Sequence, residues 1–263
     1  MVAGSIEALL ERADFGAIRV CESQGPAVLG KVEPFLTHRN REVRLLALTC
    51  VAVAGGPKAP ELLTRMLKDS DEQVRVNAIN ELDVHLPVGR EAELLAVWDT
   101  TADRYLKQHV PMVLGRLRQA SLIPELEKRS KAATDPAVQD GFVAALAKLG
   151  HGPARARFGE QLKAARGERV REMSEYVAYV DDAWVLPYLL PVLDRREPAL
   201  YLSTHIKETI RRGCDLAVDN VLRIAKQQKF SFALDEAGQY KDAQIDEIRR
   251  FLLALPPPLA ARP

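Results

Sequence analysis

A short signature recurs six times along the chain, and no other feature constrains its fold as strongly. An apolar residue, usually followed by a long polar one, stands at Val43-Arg44, Val74-Arg75, Leu106-Lys107, Val138-Gln139, Val170-Arg171 and Leu200-Tyr201. Successive anchors lie 31, 32, 32, 32 and 30 residues apart. A period of this length marks supersecondary units that cannot bury an apolar face alone and therefore stack on their neighbours.

Each period reads as two helices. In the second unit, Leu62, Leu63, Met66 and Leu67 stripe one face of a first helix. Asp69-Ser70-Asp71 then supplies turn and N-cap chemistry, because short side-chain oxygens accept the unpaired N–H groups of a new helix. Val74, Ala78, Ile79 and Leu82 stripe the second helix. Eight residues before the anchor stand Phe35, Met66, Trp98, Leu162 and Val192, with Ser130 the exception. Breakers fall between units at Gly55-Gly56-Pro57, Pro87 with Gly89, Gly150 with Gly152-Pro153, and Asp181-Asp182. The pattern predicts no strand. Two places depart from it. Pro111 falls inside a second helix and predicts a kink or a late start. In the sixth unit Leu202, Ile206 and Ile210 form a better stripe than Leu200 does.

Asp71-Glu72-Gln73-Val74-Arg75 with Ala78-Ile79 and Leu82, Asn40-Arg41-Glu42-Val43-Arg44 with Ala47-Leu48 and Val51, and Asp135-Pro136-Ala137-Val138 resemble HEAT repeats. They resemble more closely the short HEAT-like repeats named after phycobilisome lyases. Pro34 and Pro191, each nine residues before an anchor, match the first-helix proline of some HEAT units. The resemblance implies an all-α protein, a right-handed α-solenoid of about six antiparallel helix pairs over residues 26–212. A capping helix in residues 1–25, capping helices over 213–255 and a loose Pro-rich tail at 256–263 complete the expected organisation. It also implies that the basic residues after the anchors, Arg44, Arg75, Lys107 and Arg171, bond turn carboxylates of neighbouring units, with Asp71 and Asp103 the partners at hand. Solenoids host many functions, so the fold does not give the activity.

The remaining sequence narrows the function classes. Cys21, Cys50 and Cys214 have no metal-ligand spacing and suit a reducing compartment. The five histidines form no HExxH, and His205 with Glu208 makes only two ligands, so no metal or cofactor is expected. Phosphate-cradle and nucleophile-elbow motifs are missing, and no catalytic residue is marked out. The first eleven residues lack a basic region and a long apolar run, and no stretch approaches a membrane span, so a cytoplasmic protein without membrane attachment is expected. A helix-rich glycosylase of the DNA alkylation-repair kind would need aromatics and a carboxylate around an exposed lesion. Trp98-Asp99, Asp103-Arg104-Tyr105, Tyr176, Tyr179 and Trp184 are the residues at hand. Packing accounts for Trp98, and a net charge of +1 gives no surplus for a phosphate backbone, so nucleic acid is not the expected partner.

Charge is uneven along the chain. Residues 61–103 hold ten acidic against four basic side chains, whereas residues 116–171 hold twelve basic against six acidic. Either these are solvated helix faces, or they form a polarised surface that steers a protein partner or drives head-to-tail self-association. The second reading singles out Arg155, Arg157, Lys163, Arg166 and Arg169 for an acidic segment or partner helices. Positions three and seven after each anchor are expected to line a concave face: Asn77 and Glu81, His109, Gly141, Ala145, and Met173 with Val177. The function expected is a non-catalytic repeat scaffold for a protein partner, with a regulatory or lyase-type subunit presenting a client protein as the first alternative and a HEAT-like DNA alkylation-repair glycosylase as the second.

Overall fold

Helices start where the sequence places a short polar side chain ahead of an apolar stripe. In the computed structural model, which describes residues 5–203 and 208–256, Ser5 caps α1 (Ile6–Glu11), and α2 (Gly16–Gln24) and a single turn, α3 (Leu29–Val32), follow. Asn40 caps α4 (Arg41–Ala54), Asp71 caps α6 (Glu72–Glu81), and Asp103 caps α8 (Arg104–Arg116), each accepting a backbone N–H at the helix start. Between them lie the first-position helices α5 (Ala59–Met66) and α7 (Glu91–Thr100), and α9 (Ile123–Ala132) follows α8. Then come α10 (Pro136–Lys148), α11 (Gly152–Ala164), α12 (Glu168–Val180), α13 (Gly213–Ile224) and α14 (Asp242–Leu253). The fold is predominantly helical. It divides into two compact units, residues 1–145 and 146–263, with the boundary inside α10.

In the first unit the anchors are core. Val43, Val74 and Leu106 are fully buried, and Val138 nearly so. Each second helix packs on the next, α4 on α6 and α6 on α8. Cys21 and Cys50 are both buried between α2 and α4 as free thiols. Pro111 does not delay α8, which starts at Arg104 and runs through it. A proline at this position leaves the Lys107 carbonyl without its i+4 donor. The Trp98 indole N–H takes that place at 2.9 Å, so the orphaned acceptor is satisfied from α7.

The second unit departs from the repeat. Residues Ala183–Asp194, the expected first helix of the sixth unit, form a 3-10 helix, because Pro187 and Pro191 remove two N–H donors four residues apart. The sixth anchor is not on a helix at all. Leu200-Tyr201 belongs to β1 (Pro198–Ser203), paired antiparallel with β2 (Glu208–Arg212), with Tyr201 opposite Ile210 and Leu202 opposite Thr209. The expectation of a strand-free chain and of six helix pairs is therefore corrected to helix pairs followed by a hairpin. Even spacing of Leu202 and Ile210 suits a strand as well as a helix, and the β-branched and aromatic residues here favour the strand. Ile206 lies outside the described residues. The helix expected to end near Lys229 stops at Ile224, and the N-terminal cap is two helices rather than one.

One close approach fixes the packing of α8 on α10. A Cβ on Gly141 would stand 2.3 Å from the backbone oxygen of Gln108, which cannot move aside as a side chain would. Gly141→Ala should therefore lower unfolding stability by about 1–3 kcal/mol or more. Urea denaturation checks this, and a neutral result would mean that the two helices are not in backbone contact.

Candidate interaction surface

The basic residues after the anchors reach one unit further along the chain in two of the four cases. Arg44 forks onto Asp69, Nε to Oδ2 at 2.8 Å and Nη2 to Oδ1 at 2.9 Å, while Nη1 donates to the His38 carbonyl. Arg75 reaches Asp103 in the next unit, with Nε and Nη2 both on Oδ2 at 2.8 and 2.7 Å, and Nη1 donates to the carbonyls of Asp69 and Ser70. Asp103 meanwhile uses Oδ1 to cap Tyr105 and Leu106, so one carboxylate both starts a helix and receives the preceding unit's arginine. The partner of Arg44 is thus Asp69 rather than Asp71. Asp71 caps α6 and faces Arg41 at 3.7 Å, a second rung that Arg104 and Asp135 repeat at 2.8 Å.

The other two basic residues do not form rungs. Lys107 donates to the Trp98 carbonyl at 2.5 Å and sits 4.0 Å over its ring, because Asp135 is occupied by Arg104. Arg171 pairs within its own helix with Glu168 and Glu175.

The basic stretch expected to meet a partner is largely occupied within the second unit. Arg155 donates to the Ala147 carbonyl, faces Asp182 at 3.6 Å and lies 4.9 Å over the Trp184 ring. Lys163 bonds Glu160 and lies over Tyr188, and Arg169 bonds Glu172. Arg166 donates to the carbonyls of Lys163, Ala164 and Ala165, which closes the end of α11. Arg157 is exposed on α11. Met173, Val177, Gly141 and Ala145 are buried, so the face expected at positions three and seven turns inward in the fourth and fifth units. Asn77, Glu81 and His109 are half-buried. His109 stacks on Tyr105 at 3.8 Å and donates from Nδ1 to its carbonyl, and burial lowers its pKa. The Tyr105 hydroxyl reaches Asn80 on α6 at 2.8 Å.

A second column of unburied positions runs one residue earlier. Positions two before and two, six and ten after the anchor give Arg41, Leu45, Thr49 and Val53 on and beside α4. The same positions give Glu72, Val76, Asn80 and Val84 for α6, and Arg104, Gln108, Met112 and Arg116 on α8. Not one of the twelve is buried. A spacing of four residues keeps successive members of a column on one helix face, while Val84 lies in the turn past α6. At its capped end, Glu72, Arg75, Asp103, Arg104, Tyr105 and Gln108 line a cleft of about 400 Å³.

Sequence reading missed one cluster altogether. In the second unit Arg211, 1% exposed, pairs with Asp219 at 2.8 Å, Asp219 accepts from the Tyr240 hydroxyl at 2.8 Å, and Arg212 forks onto Asp215. These bonds tie β2 to α13 and to the loop before α14. Only the adjacent charges of Arg211-Arg212 and Asp215 signalled it, and they read as an ordinary helix end. Trp98, Tyr176 and Tyr179 are core, and Asp99 is held by Arg129 through both oxygens at 2.9 and 2.7 Å. His205 lies outside the described residues. Among the described residues no group of three or more His, Cys, Asp or Glu is placed to hold a metal ion, and no helix is long and apolar enough to cross a membrane. No protein-family model matches the chain, and no curated protein matches it in sequence.

Two outcomes follow from these bonds. Arg75→Ala strands the Asp103 carboxylate, 8% exposed, and two turn carbonyls, and should cost about 1–3 kcal/mol. Arg171→Ala removes only pairs open to solvent and should cost less than about 0.5 kcal/mol, as compared by urea melts. At Asp215, burial pushes the carboxyl up, but bonds from the Arg212 side chain and from the Arg212 and Tyr240 backbone outweigh it and hold the pKa below 3.8. A depressed carboxyl contributes stability that is present above its unfolded value, about pH 4, and is lost as pH falls through the folded value. Asp219 acts with the opposite sign, since burial outweighs Arg211 and raises it. Asp215→Asn should therefore lower stability at pH 7 and flatten the decline below pH 4 in unfolding curves taken across that range.

Proposed function

We propose that this chain is a non-catalytic scaffold of HEAT-like helix pairs, an α-solenoid that holds a protein partner on its second helices. The observation carrying this reading is the set of aligned columns on α4, α6 and α8. The second helices of three successive pairs, with the turn after α6, leave Leu45, Val53, Val76, Val84 and Met112 in contact with solvent, although the same helices bury their anchors fully. Val84 is 76% exposed and Val53 41%. Apolar side chains gathered on one face gain by being covered, and interaction surfaces are where proteins keep them. The arginine rungs support the repeat reading, because their partners lie 25 to 31 residues apart, about one period. A reducing, cytoplasmic setting fits three buried free thiols.

A client-presenting, lyase-type subunit would use the same face, with the chemistry supplied by another protein. The alkylation-repair reading gains nothing from Asp99, whose carboxylate is engaged by Arg129, or from Trp98, whose indole N–H is bonded inside the unit.

A photo-crosslinking residue at Asn80, on the column, and another at Lys128, exposed on α9, test the proposal in cells. Protein adducts are expected from Asn80 and not from Lys128. Equal yields from both positions, or none from Asn80, would contradict it.

A further inference from the structure

One cleft recurs between the turns of successive units, and its charge changes from one copy to the next. In the first copy the turn leading into α4 faces the turn after α5, enclosing about 370 Å³. One unit further, the turn after α5 faces the turn between α7 and α8, enclosing about 310 Å³. An arginine rung crosses each, Arg44 to Asp69 in the first and Arg75 to Asp103 in the second. The rest of the charged lining differs. The first copy adds Arg39, Arg65 and Lys68 and no further acid. The second adds Lys68 and Asp69, opposite in sign, and carries Val97 and Thr100 where the first carries Arg65 and Lys68 one period earlier.

The fold leaves the cations of the first copy largely unanswered. Arg39 and Lys68 are exposed, and among the described residues neither makes an ion pair or a side-chain hydrogen bond. Arg65 donates through Nη1 to Glu33 at 2.8 Å, but Glu33 is shared with Lys58. Both oxygens of Asp69 are taken by Arg44, and Glu11 stands 3.6 Å from His38 Nε2. With Lys58 and these acids counted, five cations stand against three carboxylates.

Two unpartnered cations and the spare donors of Arg65 suit a group with nearly two negative charges and several acceptor oxygens. A phosphomonoester is such a group, and a carboxylate is not. The volume lies near the lower end of the roughly 300–1,000 Å³ of ligand pockets, so a phosphate enters with part of its carrier. Buried Leu36 and Met66 line the cleft for an aliphatic carrier. Among the described residues, no Phe, Tyr or Trp lines it for a nucleobase to stack on.

We infer that this cleft binds a phosphorylated serine or threonine in an extended segment of the partner protein. Arg39 and Lys68 meet the phosphate oxygens from the two turns, Arg65 donates through the nitrogens that Glu33 leaves free, and Leu36 and Met66 contact the carbons of the phosphoresidue. The inference rests on the scaffold reading and names what marks the partner.

The test uses the full chain and two peptides of nine residues, otherwise uncharged, with phosphoserine or serine at the centre. Fluorescence anisotropy at low salt should show the phosphoserine peptide binding at least about tenfold more tightly, with affinity falling as salt is raised. Arg39→Ala/Lys68→Ala should weaken that binding by about tenfold or more, whereas Lys128→Glu, on α9, should change it by less than about twofold. Thermal melting of the double variant should match the parent, since neither side chain is bonded within the fold. Equal binding of the two peptides, undiminished binding in the double variant, or no binding of either would overturn the inference. Inorganic phosphate or AMP binding as tightly as the phosphoserine peptide would overturn it too, by assigning the cleft to a small anion. Crosslinking from Asn80 does not depend on these residues, so failure here and failure of the scaffold reading are told apart.

Discussion

A guanidinium that reaches one unit forward and closes on a helix-capping turn is the contact on which the first unit is organised. Helix pairs of this kind present apolar faces whose contacts are non-directional, and many small slides would bury nearly the same area. The Arg75–Asp103 pair removes that freedom. Nε and Nη2 converge on one carboxylate oxygen, and the acceptor is the residue that sets where α8 begins. One unit earlier Arg44 forks onto Asp69, which in turn accepts from the backbone N–H of Asp71, the cap of α6. Because each arginine also donates to carbonyls of its own turn, losing one rung would loosen the turn behind it as well as the unit ahead.

The helix starts follow from the same economy of groups. Asp103 serves with one oxygen as a cap and with the other as a counterion, so its desolvation is offset twice. Pro111 shows the complementary case. It takes a donor out of α8, and Trp98, a core residue of α7, supplies the missing hydrogen bond at the carbonyl so exposed. Lys107 then has no carboxylate within its own rung and settles on the Trp98 carbonyl and ring. A change of residue type at one anchor is thereby absorbed locally, and the next rung passes to Arg104 and Asp135.

Much of this was legible in the residues because capping and periodicity are local. Asn40, Asp71 and Asp103 announce their helices, and Val43, Val74 and Leu106 are the buried anchors that their spacing requires. The hairpin was not legible, since Leu202 and Ile210 satisfy both periods and the deciding contacts are distant. Arg211 is buried against Asp219, Tyr240 and the loop before α14, up to 29 residues away. The face expected three and seven residues after the anchors was legible only in part, since Asn77, Glu81 and His109 stay half-buried whereas Gly141, Ala145, Met173 and Val177 turn inward.

Charge counted along the chain is a poor guide to surface charge, for a reason that applies to stacked repeats in general. A run of acids and a later run of bases look like a polarised surface when counted along the chain. In an array, residues one period apart are neighbours, so Asp69 meets Arg44, Asp83 meets Arg116 and Asp99 meets Arg129 across intervals of 25 to 33 residues. The informative quantity is therefore what remains after such pairs are removed. In the first unit's acid-rich stretch that remainder, among the described residues, is Glu72 and Glu81 at the two ends of α6 and Glu91 at the start of α7, of which Glu72 and Glu91 lie in first turns where the helix dipole favours an acid.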